Sequence, residues 1–262
     1  MNILDRIRET KRAEIKRQKE EFPLSRLQRA LSLQRRPTLS LREALAASPS
    51  GIIAEFKRRS PSRGWIHPGA DVAHIARAYE EAGAAAISCL TDEEHFGGSI
   101  ADFEKARDVV TRVPLLRKEF ILDEYQVYQS KVMGADAILL IAACLTRDDA
   151  RRLADMAHFF DMEVLLEIRD ERELDYIQPN IDVVGVNNRD LANFQTDTTR
   201  SATLAAAIPP SRLKIAESGI NDPRTIIDLR RAGFRGFLVG EYLMRERHPG
   251  QALEQLVKAT MP

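Results

Sequence analysis

The sequence of 262 residues is long enough for one domain with a full core, since 44% of its residues are hydrophobic. Its 39 basic and 39 acidic residues balance, so the overall charge favours neither nucleic acid nor a membrane surface as a partner. Apolar runs of about 18 residues, the length that spans a membrane, do not occur. The first residues are charged where a signal peptide has an apolar core, so we expect a cytoplasmic protein.

Residues 1–46 differ in composition from the rest of the chain. Up to Arg36 they contain eleven Lys and Arg against five Asp and Glu, with helix-forming residues but no wide apolar stripe. This composition predicts an N-terminal helical extension, followed by the main domain at 47–262. The extension either covers one end of the main domain or has a binding role, and the composition favours the cover.

From residue 51 onward, short and mainly apolar runs alternate with amphipathic segments. The predicted strands are GIIAEF (51–56), AAAIS (84–88), VPLLR (113–117), DAILLI (136–141), EVLLEI (163–168), DVVGVN (182–187), LKIAE (213–217) and RGFLVG (235–240). The segments between them predict helices, among them 71–82, 123–133, 146–160 and 222–232. Asp71, Thr146 and Asp222 stand where helix N-caps are expected. Apolar runs without alternation are typical of parallel strands buried on both faces, so the pattern predicts an α/β fold, a (β/α)₈ TIM barrel.

A repeated glycine supports the barrel. Gly83, Gly134 and Gly233 each stand just before a predicted strand, where a glycine ends the preceding helix. The second spacing is about twice the first, as expected if these glycines precede the second, fourth and eighth strands.

Charged and polar residues follow the predicted strands. They are Glu55, Lys57, Lys118, Glu119, Glu167, Asn187, Arg189, Glu217 and Ser218. One such residue often only faces solvent, but five strand ends that carry them together indicate a shared mouth at the C-terminal face of the barrel, where barrel enzymes place their chemistry. Lysines and carboxylates at one mouth shift one another's pKa values and supply acid and base near neutral pH.

Glycines in the last two loops suggest a phosphate site. Barrels commonly bind phosphate at the loops after strands seven and eight, and Gly219 and Gly240 let backbone N–H groups approach an anion there. A plain turn before a helix is the alternative for each. Phe96 lies beside a glycine pair, where it either contacts an apolar part of a ligand or belongs to an ordinary loop. Scattered histidines and two cysteines within apolar runs predict no metal site.

Seven segments resemble the motifs of one enzyme family, the indole-3-glycerol-phosphate synthases. In the same order as in that family they read IIAEFKRRSPSRG, LLRKEFILDEYQV, GADAILLIAACLT, VLLEI, GVNNRDL, IAESGI and FLVGEYLM. The leading ILDRI helix and PLSRL look like that family's extra N-terminal segment. The resemblance implies ring closure, loss of CO₂ and loss of water from 1-(o-carboxyphenylamino)-1-deoxyribulose 5-phosphate in tryptophan biosynthesis, without metal or organic cofactor.

The resemblance also implies roles for individual residues. Lys118 is the general acid on the ketone oxygen, and Glu167 stabilises the cationic intermediate and accepts a proton. Glu55 and Lys57 share the acid–base work of dehydration, and Lys57 also contacts phosphate or carboxylate. The other matched residues are Asn187 at a polar catalytic position, Ser218 to orient the substrate, Ser60 as a polar loop contact, Gly219, Gly240 and the backbone of Glu241 as the phosphate cradle, and Phe96 and Phe120 as walls around the anthranilate ring.

Two other functions use similar residues. A Schiff-base aldolase acting on a sugar phosphate also has a barrel, a phosphate cradle and a lysine at a strand end. A non-catalytic phosphate-binding barrel keeps the glycines but does not need Glu55, Lys118 and Glu167 together. For each function the expected partner is a small phosphorylated molecule, with no nucleic acid and no membrane, and we expect a monomer.

Overall fold

Parallel strands close into a barrel in the computed structural model, which describes residues 3–33, 36–189 and 199–261. Within these ranges the barrel has eight strands: β1 Ile52–Phe56, β2 Ala86–Leu90, β3 Leu115–Lys118, β4 Ala137–Ile141, β5 Glu163–Ile168, β6 Val183–Asn187, β7 Leu213–Glu217 and β8 Gly236–Val239. Each strand pairs with the next along the chain, and β8 closes the barrel on β1, where Phe237 is opposite Ile52. The predicted (β/α)₈ barrel and all its predicted strands are confirmed.

Helices surround the barrel and precede it. In chain order they are α1 Ile3–Glu21, α2 Leu24–Leu33, α3 Leu41–Ala47, α4 Val72–Glu81, α5 Glu93–Phe96, α6 Ile100–Val109, α7 Glu124–Val132, α8 Arg147–Phe159, α9 Thr199–Ala205, α10 Pro223–Arg231, α11 Glu241–Met244 and α12 Pro249–Thr260. Short 3₁₀ segments lie at Ala142–Cys144 and Glu171–Tyr176, and the second of them stands between β5 and β6 in place of an α-helix. A two-stranded hairpin of Arg59–Ser60 and Gly64–Trp65 follows β1.

The predicted helix boundaries are also confirmed. The side chains of Asp71 and Thr146 accept from backbone N–H groups in the first turns of α4 and α8, as N-caps do. Gly83, Gly134 and Gly233 have φ values of 88°, 85° and 94°, a left-handed conformation that glycine adopts without the steric cost of a Cβ atom. Each of these turns returns the chain from a helix to the next barrel strand.

The region before β1 contacts both ends of the barrel. At the N-terminal end, Ser40 Oγ donates to Glu163 at the start of β5, and the buried Leu41 and Leu45 of α3 pack against the barrel interior. Helix α1 lies at the opposite end, where Ile3 and Ile7 reach the C-terminal mouth. The helices therefore cover the bottom of the barrel and also form part of the mouth, whereas the composition favoured a cover alone. The boundary between 1–46 and 47–262 stays a prediction.

Two further findings concern the described residues. Cys89 and Cys144 are buried free thiols, which agrees with the apolar runs that contain them. In the described ranges, the helices are all too short or too polar to cross a membrane, and no group of three or more His, Cys, Asp and Glu is placed to hold a metal ion.

Candidate active site

A cavity of about 810 Å³ opens at the C-terminal ends of the barrel strands. All the site residues predicted from the sequence line it: Glu55, Lys57, Ser60, Phe96, Lys118, Phe120, Glu167, Asn187, Ser218, Gly219, Gly240 and Glu241. The closure of the barrel explains this convergence, because parallel strands present their carboxyl ends to one face. The roles that the resemblance implies for these residues stay predictions.

Lys118, the last residue of β3, stands between two carboxylates. Its Nζ lies 3.2 Å from Glu167 Oε2 and 3.3 Å from Glu217 Oε2. Burial alone lowers the pKa of Lys118, but the charges of Glu217 and Glu167 outweigh burial and hold that pKa above its ordinary value. Asn187 Nδ2 donates to Glu167 Oε1 at 2.9 Å and fixes that carboxylate. The site therefore holds Lys118 as an ammonium, a form that can give a proton but cannot attack as an amine.

Glu217 was noted only as a strand-end residue, yet it is the second buried carboxylate on Lys118. Burial raises the pKa of Glu217 to about 7, while Lys118 opposes this rise and Glu167 adds to it. Its Oε1 finds no hydrogen-bond partner among the described residues. A Cβ atom at position 185 would lie 2.2 Å from this oxygen, so Gly185 in β6 provides the space that Glu217 occupies. Glu217 can thus take up or release a proton near neutral pH.

We expect Glu217→Gln to stabilise the protein, increasingly as the pH rises. The pKa of Glu217 is about 7 in the folded protein against an ordinary 4.5. Its favourable contribution to the free energy of unfolding is therefore complete below pH 4.5 and is lost as the pH rises to about 7. Gln carries no charge and avoids this loss. Urea unfolding at several pH values between about 5 and 8 measures the difference. The exposed Glu254→Gln is the control, and a difference that does not vary with pH would contradict the assignment.

Glu55 and Lys57 form a second pair at the end of β1. Lys57 Nζ lies 2.7 Å from Glu55 Oε1, and both side chains are largely buried. Burial alone raises the pKa of Glu55, but the charges of Lys57 and then Lys118 outweigh it and lower that pKa, so Glu55 is an anion at neutral pH. A Cβ atom at Gly240 would come within 2.4 Å of Glu55 Oε1. Gly240 is therefore required by the packing of Glu55, a reason that its place in the sequence did not reveal.

The turn after β7 has an unusual backbone. Ser218 and Gly219 have φ values of 68° and 75°, so two consecutive residues are left-handed and one of them carries a side chain. Such strain persists where neighbouring groups hold it. Asn188 does so, because its Nδ2 donates to the Ser218 carbonyl at 3.2 Å and its Oδ1 accepts from Ser201 Oγ at 2.7 Å. This conformation places Ser218 and Gly219 on the cavity wall.

Arginines gather on the same side of the cavity, and of these the sequence had indicated only Arg189, as a residue at a strand end. Glu241 Oε1 lies 3.3 Å from Arg63 Nε and 2.6 Å from Arg245 Nη2, and its Oε2 lies 3.4 Å from Arg189 Nη2. Arg189 also donates to Ser62 Oγ at 2.5 Å. The carboxylate of Glu241 thus holds three guanidinium groups beside the predicted phosphate cradle. Arg63 belongs to the segment SPSRG. Its positive charge was the only signal in the sequence that Arg63 contributes to the mouth.

Apolar side chains close the other side. The rings of Phe96 and Phe120 are 6.0 Å apart and tilted by 39°. Ile3 and Ile7 of α1 also line this part of the cavity. The mouth therefore has an arginine-rich side, a central ammonium and an apolar side.

Comparison with known proteins assigns the chain to a family. The model of the family described as indole-3-glycerol phosphate synthase matches residues 4–256. The chain belongs to the indole-3-glycerol phosphate synthase family. It is 48% identical over 258 residues to the indole-3-glycerol phosphate synthase of Bacteroides thetaiotaomicron, with 98% of each chain covered. It is 42% identical over 257 residues to that of Salinibacter ruber, with 98% of this chain and 95% of that protein covered.

Solved structures with low sequence identity have the same fold. A mutant tryptophan synthase alpha-subunit from Pyrococcus furiosus has a TM-score of 0.61 at 14% identity, covering 80% of this chain and 97% of its own. Tryptophan synthase subunit alpha from Legionella pneumophila has a TM-score of 0.59 at 12% identity, covering 84% and 96%. At such identity the likeness concerns the barrel and not the chemistry.

Proposed function

We propose that this protein is a carboxy-lyase that converts 1-(o-carboxyphenylamino)-1-deoxyribulose 5-phosphate to indole-3-glycerol phosphate. The observation that carries the proposal is the buried ammonium of Lys118, held between Glu167 and Glu217 at the centre of the mouth. Membership of the indole-3-glycerol phosphate synthase family supports it. The proposed reaction serves tryptophan biosynthesis and uses neither a metal ion nor an organic cofactor.

The anionic and apolar ends of this substrate match the two sides of the cavity. Its phosphate binds at the backbone of Gly219, Gly240 and Glu241, with Ser60 as a further polar contact. Arg63 and Arg189 exchange part of their contact with Glu241 for the phosphate, because guanidinium groups pair well with phosphate oxygens. The anthranilate ring lies between the side chains of Phe96 and Phe120 and near α1. Ser218 orients the chain of hydroxyl groups between the two ends.

The first step forms a carbon–carbon bond. The ring carbon that carries the carboxylate attacks the ketone carbon, and the ketone oxygen takes the proton of Lys118 and becomes a hydroxyl group. The ring is left with a positive charge that extends onto its nitrogen, and the carboxylate of Glu167, held by Asn187, stabilises this cation. CO₂ then leaves, and the electrons of the broken bond neutralise the ring. Lys118 regains its proton from water, which supplies the one proton that the overall reaction consumes.

The last step is dehydration, in which the new hydroxyl group leaves as water. Lys57 donates the proton that the leaving oxygen needs, and Glu55 takes part in proton removal from the neighbouring carbon, so that the double bond of the indole forms. Their 2.7 Å contact allows the pair to exchange that proton and return to its starting state. Side chains that close the mouth exclude water and strengthen these charge interactions.

An assay for indole fluorescence with this substrate tests the proposal. Wild-type protein is expected to release indole-3-glycerol phosphate and CO₂ in equal amounts without added metal, and with EDTA present. If the protein cleaves a sugar phosphate instead and forms no indole, the aldolase function replaces the proposal. If the protein binds the substrate and leaves the substrate unchanged, the non-catalytic function replaces the proposal.

Gly240→Val is expected to raise KM and to lower kcat as well. The valine side chain narrows the predicted phosphate cradle, and its Cβ atom overlaps Glu55 Oε1, from which it would be 2.4 Å away. Steady-state kinetics on the purified variant separates the two parameters. Gly69→Val is the control, because a Cβ atom at Gly69 has no described atom within 4 Å. Unchanged KM and kcat would contradict both the cradle and the packing on Glu55.

A further inference from the structure

A buried lysine joins α1 to the barrel outside the reacting centre. Lys11 is only 1% exposed although it lies in the charged N-terminal helix. Its Nζ is 2.7 Å from Glu14 Oε2, 3.0 Å from Glu119 Oε1 and 3.1 Å from Asp92 Oδ2. Such burial of an ammonium is costly unless its charge is matched, and here carboxylates surround it.

Each barrel carboxylate on Lys11 also fixes one aromatic wall of the cavity. Asp92 Oδ1 accepts from the backbone N–H groups of His95 at 2.8 Å and Phe96 at 3.2 Å, and so caps α5. Glu119 Oε1 accepts from the Phe120 backbone N–H at 2.8 Å. The Lys11 ammonium thus binds the same carboxylates that accept hydrogen bonds from the backbone of Phe96 and Phe120.

The same helix face carries the apolar residues that reach the cavity. Ile3, Ile7 and Lys11 are spaced by four residues, so they lie above one another on α1. Ile3 and Ile7 line the mouth, and Ile7 is 3% exposed. When Lys11 binds its carboxylates, it therefore also sets where these two side chains stand over the cavity.

We propose that Lys11 is a positioning residue for the aromatic end of the substrate. Its ammonium ties α1 to the loops after β2 and β3, so that Ile7, Phe96 and Phe120 form one preformed pocket for the ring. The proposal rests on the proposed function for the identity of that ring. It predicts an effect on ring binding that is separate from phosphate binding and from the chemistry at Lys118.

The chain provides a matched control on the same helix. Lys19 Nζ lies 2.8 Å from Asp123 Oδ2, but this pair is exposed and neither residue lines the cavity. The second half of α1 has another attachment, because Tyr125 Oη donates to the carbonyls of Gln18 and Phe22. Loss of Lys11 is therefore expected to loosen the first turns of α1 and leave the rest docked.

The test compares Lys11→Met with Lys19→Met and measures four quantities. For Lys11→Met, KM for the carboxyphenylamino substrate and the inhibition constant of anthranilate are each expected to rise about tenfold or more, which corresponds to 1.4 kcal/mol. The inhibition constant of inorganic phosphate and kcat are expected to stay within about twofold of wild type. Lys11→Arg, which keeps the charge, is expected to recover part of the anthranilate affinity.

Defined outcomes overturn the proposal. If Lys11→Met binds anthranilate as tightly as wild type does, Lys11 does not position the ring. If the variant loses as much affinity for phosphate as for anthranilate, its effect is not specific to the ring. If Lys11→Met does not fold, Ile7→Ala carries the test, since it shortens the same wall without leaving a buried charge, and unchanged anthranilate affinity would contradict the proposal. Wild-type protein that forms no indole product refutes the proposed function instead, while the anthranilate and phosphate measurements still decide the role of Lys11.

Discussion

Lys118→Ala is expected to lower kcat by ~10²–10⁴-fold, the usual contribution of general acid catalysis. The variant cannot protonate the ketone oxygen as the carbon–carbon bond forms, and it leaves the charges of Glu167 and Glu217 without their shared ammonium, which lies 3.2 and 3.3 Å from them. KM should change much less, because the phosphate cradle lies at β7 and β8 and is not altered. Steady-state assays of indole formation measure both parameters.

Two further variants accompany Lys118→Ala, one as a control and one as a second test of the same step. Lys214→Met removes another lysine of a barrel strand, whose Nζ donates to the Ala205 carbonyl away from the mouth, and it is expected to keep kcat. Glu167→Gln is expected to lower kcat through loss of the charge that favours the cationic intermediate. A Lys118→Ala variant with nearly normal kcat would refute the assignment of the acid.

Borohydride treatment separates acid catalysis from Schiff-base catalysis. A Schiff base needs a neutral amine. Burial alone lowers the pKa of Lys118, but the charges of Glu217, Glu167 and Glu55 outweigh it and raise that pKa. Wild-type protein treated with substrate and borohydride is therefore expected to keep its intact mass. An adduct on Lys118 would return the aldolase function to first place.

The fold could be predicted because local signals agreed with one another. The apolar runs, the N-caps at Asp71 and Thr146, and the glycines before strands are properties of single segments, and each segment formed what its residues favour. The repeated strand–helix order implied a helix between β5 and β6, but this segment forms a 3₁₀ helix at Glu171–Tyr176. The closure of the barrel followed from the count of strands.

The position of the site could be predicted, but several pair interactions within it could not. Strand ends face one mouth by topology alone, which explains why Glu55, Lys118 and Glu167 converge. That Gly185 makes room for Glu217 depends on the register between β6 and β7, where Gly185 pairs with Ile215. Register is the alignment of residues on two strands that are distant in the chain, and a single sequence does not reveal it.

Helix α1 was the least predictable part of the site. Its composition is that of a solvated helix, and the burial of Lys11 depends on carboxylates that follow β2 and β3 in the chain. Ile3 and Ile7 did show the four-residue spacing of one helix face, which was a usable signal. The structure turns this narrow apolar face toward the mouth.

Asp136→Asn is expected to cost about 3–5 kcal/mol of unfolding free energy, the usual effect of breaking a buried ion pair by removing one partner. Asp136, just before β4, is fully buried and accepts from Arg107 Nη1 at 2.7 Å and from the Leu115 backbone N–H at 2.8 Å. It also accepts from Arg36 Nη1 at 3.0 Å and the Leu39 backbone N–H at 2.9 Å, and so joins the segment before α3 to the barrel. The neutral amide leaves the buried Arg107 without its counter-charge.

Asp182→Asn provides a matched control, since Asp182 stands just before β6 as Asp136 stands before β4. Its side chain is 20% exposed, and it accepts from the Val164 backbone N–H and contacts His158, so about 1 kcal/mol is expected. Urea unfolding measures both variants. Because Asp136 lies at the end of the barrel opposite the mouth, the folded Asp136→Asn variant should keep kcat, which separates a loss of stability from a loss of catalysis. Equal losses of stability in the two variants would show that the buried arginine pair does not hold the helices before β1 against the barrel.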